Sequence, residues 1–108
     1  MEFNEFIKKA KEIRDKYAEL NRKEGNKPWG VAECTQGFVG DVGDLVKLVM
    51  AKGKFRNCED MDEKLRHELS DCLWSIIIIA DELGIDLEKC FFDTMDELNR
   101  RIDKEKLG

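Results

Sequence analysis

The chain has 108 residues, of which 42% are hydrophobic, so it can form one small domain (1–108) with a modest core. Its 19 basic and 24 acidic residues give a formal net charge of −5, which disfavours broad binding to nucleic acid or to an anionic membrane. The amino terminus lacks the apolar segment of a signal peptide, and the longest apolar run, 72–80, is too short to cross a bilayer, so we expect a cytoplasmic protein.

The first two predicted helices follow from apolar residues at helical spacing. The first helix is expected over roughly 5–24, with Asn4 as its cap and Gly25 in its stop. The second is expected over roughly 28–52, because Pro28 suits the first turn of a helix.

The third and fourth predicted helices are bounded by similar signals. The third is expected over roughly 60–83, opened by the capping box Asp60-x-x-Glu63 and closed at Gly84. Its β-branched run 76–79 leaves a buried strand open as an alternative. The fourth is expected over roughly 86–103, capped by Asp86. Its inner side is expected to carry Phe91, Phe92, Met95 and Leu98.

Four helices with short connections predict an all-α, four-helix-bundle-like fold. The segment from Trp74 to Ala80 is apolar on every side, which three short amphipathic partners cannot fully cover. We therefore expect a homodimer, or a tetramer built from two dimers, with the third helix near the interface. The cysteines lack C-x-x-C spacing and are expected to be reduced structural thiols: Cys34, Cys58, Cys72 and Cys90.

Two pairs of acidic residues lie among packing residues on consecutive predicted helices. In 40-GDVGDLVKL-48, Asp41 and Asp44 are three residues apart and share one face, and in 68-ELSD-71 Glu68 and Asp71 repeat that spacing. Helices joined by a short loop usually lie antiparallel, so the two pairs can face each other across one seam. Either motif alone is more often solvated surface charge, but the conjunction predicts four converging carboxylates.

Converging carboxylates repel one another unless a cation lies among them. Oxygen-only ligands suit a hard divalent ion, so Mg²⁺, with Mn²⁺ as a substitute, is the expected cofactor. Gly37, Gly40 and Gly43 weaken the second helix, each by about 1 kcal/mol relative to alanine. Bare backbone at this spacing permits close approach by a neighbouring helix or a ligand. From the residues alone, a metal site and a solvated acidic face both stay open.

The segments GDVGDLVKL and ELSDCLWSIIIIADELGIDLEKC together resemble the core of the MazG-like nucleotide pyrophosphohydrolases, in the all-α NTP pyrophosphatase superfamily. That family has E-x-x-E on one helix and E-x-x-D on the next, then an apolar stretch and an LGIDLE-like turn into a last helix. The resemblance spans about residues 28–102. It implies Mg²⁺-dependent cleavage between the α- and β-phosphates of a nucleoside triphosphate, giving the monophosphate and pyrophosphate.

The resemblance also implies roles for particular residues. Asp41 and Asp44 occupy the positions of the family's two glutamates, while Glu68 and Asp71 match its second motif, so these four are the expected metal ligands. Asp41 is the expected general base, with Glu68 as its catalytic partner. Phosphate or base contacts are implied for Lys52, Asn99, Arg100, Arg101, Trp29 and Gln36. For these, ordinary surface, helix-end or core roles stay open.

Three classes of function follow. The first is the nucleotide pyrophosphohydrolase. The second is a catalytically weakened, oligomeric interaction module of the same fold, which the shorter aspartates at Asp41 and Asp44 keep open. The third is a phosphoribosyl-nucleotide pyrophosphohydrolase. Base preference depends on loop shape and has no readable motif.

Overall fold

A computed structural model of the protein describes residues 2–54 and 59–107, and within them the chain forms four α-helices and no strand. The helices are α1 Phe3–Lys23, α2 Val31–Lys54, α3 Glu59–Glu82 and α4 Leu87–Leu107. The expected all-α, bundle-like fold is confirmed. The run 76–79 lies inside α3, so the strand alternative is excluded. Among the helices described, none combines the length and apolar character needed to cross a membrane.

Three helix ends lie where the sequence predicts them. Gly25 and Gly84 adopt the left-handed backbone conformation that ends a helix, with φ of 79° and 69°. Asp86 caps α4, because its Oδ1 accepts a hydrogen bond of 3.1 Å from the backbone N–H of Lys89.

Other helix ends differ from prediction. α1 begins at Phe3 after Glu2, so Asn4 lies inside the helix and does not cap it. α3 begins at Glu59, which places Asp60 inside the helix as well. α4 continues to Leu107, because residues 103–107 contain no proline or glycine that would stop it.

The start of α2 also differs from prediction, and the cause is local. The helix begins at Val31, three residues beyond Pro28, which lies outside its first turn. The backbone N–H of Gly30 donates to Oε1 of Glu33 at 3.1 Å, while the carbonyl of Gly30 accepts from the N–H of Cys34. Glu33 therefore completes half of a capping box at Gly30, and this interaction sets the start of the helix.

α3 is the central helix. It packs along α2 most extensively and against α1 over a smaller area. The buried core is formed from all three by Ala10, Cys34, Ile77 and Ile78. Trp74 Nε1 donates a 3.0 Å hydrogen bond to the carbonyl of Ala10, which fixes α1 against the middle of α3. Cys34, Cys72 and Cys90 are free thiols, and Cys58 lies outside the described residues.

An ion-pair cluster joins α1 to the carboxyl end of α3. Arg14 Nη1 lies 2.6 Å from Oδ2 of Asp81 and 3.2 Å from Oε1 of Glu82. Lys11 Nζ lies 3.6 Å from the other oxygen of Asp81. The hydrogen bond from Arg14 holds the pKa of Asp81 below its usual value, an effect that the charge of Lys11 reinforces.

α4 contradicts the expectation that its apolar residues face inward. No residue of this helix is buried, and it packs against α3 over a short stretch only. The side chains expected inside are 40% to 60% exposed: Phe91, Phe92, Met95 and Leu98. The amphipathic pattern is real, but within one copy of the chain the other helices do not reach its apolar side.

Candidate metal centre

Three carboxylates from two helices meet on the seam between α2 and α3. Asp41, Asp44 and Glu68 each offer an oxygen that lies within 4.8 Å of the other two. Asp41 and Asp44 share a face of α2 because they are three residues apart, and the packing of α3 against α2 brings Glu68 opposite them. The structure thus brings together three of the four predicted metal ligands.

Of the three carboxylates, Glu68 is the one with a buried oxygen that accepts no hydrogen bond from the described residues. Its Oε2 is shut off from solvent and has no hydrogen-bond partner among the described residues. Loss of hydration raises the pKa of Glu68, and the charges of Asp41, Asp44 and Asp71 raise it further. A buried carboxylate oxygen without a donor is costly, so this atom marks a position where a bound cation would supply the missing partner.

The pKa of Asp41, on α2, is also raised. Partial burial raises its pKa, the charges of Asp71 and Asp44 add to the rise, and His67 opposes it. The three carboxylates therefore repel one another when no cation is bound.

Asp71, the fourth predicted ligand, lies beside this group and has another neighbour. Its Oδ2 is 3.0 Å from Nδ1 of His67, one helical turn earlier on α3. Asp71 and Asp41 together line a cleft between their two helices and α1. The side chain of His67 is largely exposed to solvent.

The donor set fits a hard divalent cation. Oxygens bound to Mg²⁺ at about 2.0–2.1 Å in an octahedron lie roughly 3–4 Å apart, so small rotations of the three side chains would let one oxygen of each reach a single cation, with water at the remaining positions. Carboxylate oxygens alone, with room for water, suit Mg²⁺ or Mn²⁺ better than the nitrogen- and sulfur-preferring metals. The free Oε2 of Glu68 supports this fit.

An open cleft of about 670 Å³ adjoins the acidic group. Asp44 and Glu68 form one part of its wall, and Asp60 and Glu63 add two more carboxylates. Lys47 and Lys64 bring positive charge to the same cleft. The sequence prediction did not include these two lysines. Helical spacing could have indicated them, since Lys47 follows Asp44 by three residues and Lys64 precedes Glu68 by four.

Lys52 lies further along α2 and is already paired. Its Nζ forms an ion pair with Oδ1 of Asp62 on α3. This contact ties the ends of α2 and α3 together, so a phosphate contact by Lys52 would compete with Asp62.

The predicted phosphate ligands on α4 lie elsewhere. Asn99, Arg100 and Arg101 are exposed, and Arg101 pairs with Glu97 of its own helix at 3.1 Å. The two clefts that border the acidic residues are lined, within the described parts of the chain, by residues of α1, α2 and α3. One copy of the chain therefore does not bring the α4 residues to this centre.

Trp29 lies at the other end of α2, in a separate cleft. Its ring covers Gly37, where an added Cβ would come within 3.0 Å of the indole. The same cleft, of about 750 Å³, is lined by Tyr17, Trp74 and Arg14. Gln36 is exposed on α2.

The glycines of α2 differ in what surrounds them. Gly37 permits the close approach of Trp29, as expected of a glycine inside a helix. Gly40 and Gly43 have open space where a Cβ would be, so no neighbouring helix approaches them within one copy of the chain. Close approach by a protein group is seen at Gly37 among the three, and close approach by a ligand at Gly40 and Gly43 stays a prediction.

The chain was also compared with models of protein families, with curated proteins and with solved structures, and none of them matches it.

Proposed function

We propose that the protein is a Mg²⁺-dependent nucleotide pyrophosphohydrolase of the cytoplasm, which cleaves the bond between the α- and β-phosphates of a nucleoside triphosphate. One observation carries the proposal: Asp41, Asp44 and Glu68 converge within 4.8 Å, and Oε2 of Glu68 is buried without a partner. The resemblance of both motifs to the MazG-like family supports the same assignment.

The metal and the acidic residues have separate tasks in this proposal. Asp44 and Glu68 would hold the cation from opposite helices, with Asp71 beside them. A Mg²⁺ ion held there would supply Lewis acidity and lower the pKa of water. Asp41, half-buried at the seam, accepts the proton of the attacking water as general base. As the proton passes to Asp41, the oxygen of that water bonds to the α-phosphorus. The bond from the α-phosphorus to the oxygen that bridges the α- and β-phosphates breaks, and pyrophosphate leaves with the bridging oxygen.

The cleft beside the acidic group suits a polyphosphate chain. Lys47 and Lys64 line this cleft together with Asp60 and Glu63, and their ammonium groups would bind the β- and γ-phosphates of the substrate. These two lysines extend the set of substrate-binding residues that the resemblance implies. Trp29, which that set includes for stacking on a base, lies in a separate cleft in one copy of the chain.

The test is a product assay with Mg²⁺ across canonical NTPs, dNTPs and a phosphoribosyl-linked nucleotide. In H₂¹⁸O, attack at the α-phosphorus puts the label in the nucleoside monophosphate, whereas attack at the β-phosphorus puts it in pyrophosphate. We expect pyrophosphate release with label in the monophosphate. Asp41→Asn and Glu68→Gln should each reduce turnover by about a hundredfold or more.

Glu19→Gln is the matched control, because it removes one negative charge from an exposed position on α1. It should leave turnover unchanged. Absence of turnover on every substrate, with the protein folded and Mg²⁺ present, would contradict the proposal and favour the interaction module. Release of orthophosphate alone would contradict the assigned bond.

A further inference from the structure

Asp71 is paired with a histidine of its own helix and lies outside the group of three converging carboxylates. Its Oδ2 is 3.0 Å from Nδ1 of His67, which precedes it by four residues on α3. Among the described residues, the group that could hold a cation consists of Asp41, Asp44 and Glu68. The fourth acidic residue of the predicted set is therefore engaged with an imidazole, and that imidazole is itself a potential metal ligand.

The contact with Asp71 determines which nitrogen of His67 can bind a cation. An ionised carboxylate only accepts hydrogen bonds, so Nδ1 of the neutral ring carries the proton and Nε2 keeps its lone pair. Metal-binding histidines commonly show this arrangement, in which one ring nitrogen donates to a carboxylate and the other nitrogen binds the metal. The structure thus leaves Nε2 as the metal-binding atom of His67.

His67 belongs to the same cleft as two of the converging carboxylates. Asp44, His67 and Glu68 all line the open cleft of about 670 Å³ beside the acidic group. Oε2 of Glu68, the residue that follows His67, is buried with no hydrogen-bond partner in the described parts of the chain. The side chain of His67 is largely exposed, so it can adjust to a cation without disturbing the packed core. Carboxylate oxygens and one imidazole nitrogen therefore border one space.

An imidazole nitrogen changes which cation such a centre prefers. Mg²⁺ takes oxygen ligands and retains several waters, so a nitrogen ligand adds little to its binding. Divalent transition-metal ions bind mixed nitrogen and oxygen ligands more tightly, in an order that rises from Mn²⁺ to Co²⁺ and beyond. A nitrogen beside the carboxylates therefore favours a transition metal over Mg²⁺.

We propose that His67 is the fourth ligand of the metal centre, and that through it the centre binds a divalent transition-metal ion in preference to Mg²⁺. Asp71 is a positioning residue that acts on the cation through His67. The inference rests on the metal centre of the proposed function, in which it replaces Asp71 by His67 as a ligand. Hydrolysis itself requires a divalent cation but not this nitrogen, so the two proposals can fail separately.

The first experiment compares the affinities of Co²⁺ and Mg²⁺ for the same site. Each ion is titrated against bound Mn²⁺, and electron paramagnetic resonance of the released Mn²⁺ gives both dissociation constants. His67→Ala should reduce the preference for Co²⁺ over Mg²⁺ by about tenfold or more, because one metal loses a nitrogen ligand that the other does not use. Thr35→Ala, a neutral change at an exposed position of α2, should leave the preference unchanged.

Asp71→Ala separates a positioning role from direct ligation. It should lower the same preference, because the ring of His67 loses the contact that fixes it. The double variant should lose no more preference than His67→Ala alone, since Asp71 acts through His67. Losses that add in the double variant would make Asp71 an independent ligand and would overturn its assigned role.

Pulsed electron paramagnetic resonance of bound Mn²⁺ identifies the ligand directly. His67 is the single histidine of the chain, so in protein without a histidine tag an imidazole nitrogen coupling has one source. Wild type should show this coupling and His67→Ala should lack it. Bound Mn²⁺ without nitrogen coupling, absence of Mn²⁺ binding, or equal weakening of Co²⁺ and Mg²⁺ in His67→Ala would overturn the proposal. Nitrogen coupling without pyrophosphate release would contradict the proposed function alone.

Discussion

At the scale of single residues, the acidic group at the α2–α3 seam links stability to metal. Without a cation, loss of hydration raises the pKa of both Asp41 and Glu68, and the charge of Asp44 raises it further. Asp44→Asn should therefore stabilise the metal-free protein at pH 7. At ten times the dissociation constant for Mg²⁺, wild type should gain about 1.4 kcal/mol, which the variant largely loses. Thermal melting in EDTA and in Mg²⁺ measures both effects.

The pH dependence of this effect has a definite sign. A carboxyl whose pKa is higher in the folded state than in the unfolded state costs stability once it ionises, and the cost disappears as pH falls through the raised value. The advantage of Asp44→Asn in EDTA should therefore shrink on acidification. Glu19→Gln should show neither effect, and identical responses of Asp44→Asn and wild type to Mg²⁺ would contradict a metal site here.

Asp81 should behave in the opposite way. Its pKa is lowered by Arg14, so its ion pair stabilises the fold above the unfolded pKa and is lost as pH falls through the folded one. Asp81→Asn should cost about 1 kcal/mol at pH 7, with the difference from wild type shrinking as pH falls below the ordinary pKa of aspartate. Urea unfolding at several pH values checks this, and Asp103→Asn, on α4, is the surface control. A difference that did not shrink at all on acidification would exclude the ion pair as its source.

Part of the acidic centre could be predicted from the sequence because its determinants are local. The spacing of Asp41 and Asp44 on one helix fixes their shared face, and a short connection brings the next helix back with Glu68. The association of Asp71 with His67 depends on side-chain rotation. Helical spacing places Lys47 near Asp44 and Lys64 near Glu68, but the cleft that the two lysines share depends on how α3 packs along α2, which no short motif records.

At the scale of helices, Gly84 determines how the chain leaves α3 and enters α4. Its φ of 69° is strained for any residue with a Cβ, and there is open space around it, so the cost of substitution is conformational and not steric. Gly84→Ala should lower the free energy of unfolding by about 1 kcal/mol. Chemical denaturation measures the change.

Gly84→Asn provides the comparison for that substitution, because asparagine tolerates the left-handed conformation better than alanine. It should recover part of the lost stability. Equal stability of the alanine variant and wild type would show that this turn does not need the left-handed conformation.

Helix ends were predictable where one residue decides them, as at Gly25, Gly84 and Asp86. The start of α2 was missed because Pro28 is a good first-turn residue, yet the backbone of Gly30 and the side chain of Glu33 form the competing cap. For α4, the sequence reveals an apolar side but carries no signal for what covers it. That depends on whether the chain reaches back on itself, which is a property of the whole molecule.

At the scale of the whole molecule, the homodimer expected from the sequence predicts stability that depends on protein concentration, because the apolar side of α4, which includes Met95, is exposed in one copy. If two copies fold as a unit, each tenfold rise in protein concentration should add about 1.4 kcal/mol to the apparent free energy of unfolding. The melting temperature of wild type should rise accordingly, and that of Met95→Glu should be lower and independent of concentration. Lys104→Gln should follow wild type. A wild-type melting temperature that stays constant over a hundredfold dilution would contradict coupled folding and assembly.

The hydrogen bond from Trp74 to Ala10 bears on the order in which the chain folds. It joins positions 64 residues apart, and the Arg14–Asp81 pair spans 67, whereas α2 and α3 are neighbours along the chain. Closing a long loop loses more chain entropy before any contact repays it, so the α2–α3 hairpin should form first and α1 should dock onto it later. The indole of Trp74 therefore lies where its fluorescence would record the docking of α1 separately from the formation of the helices.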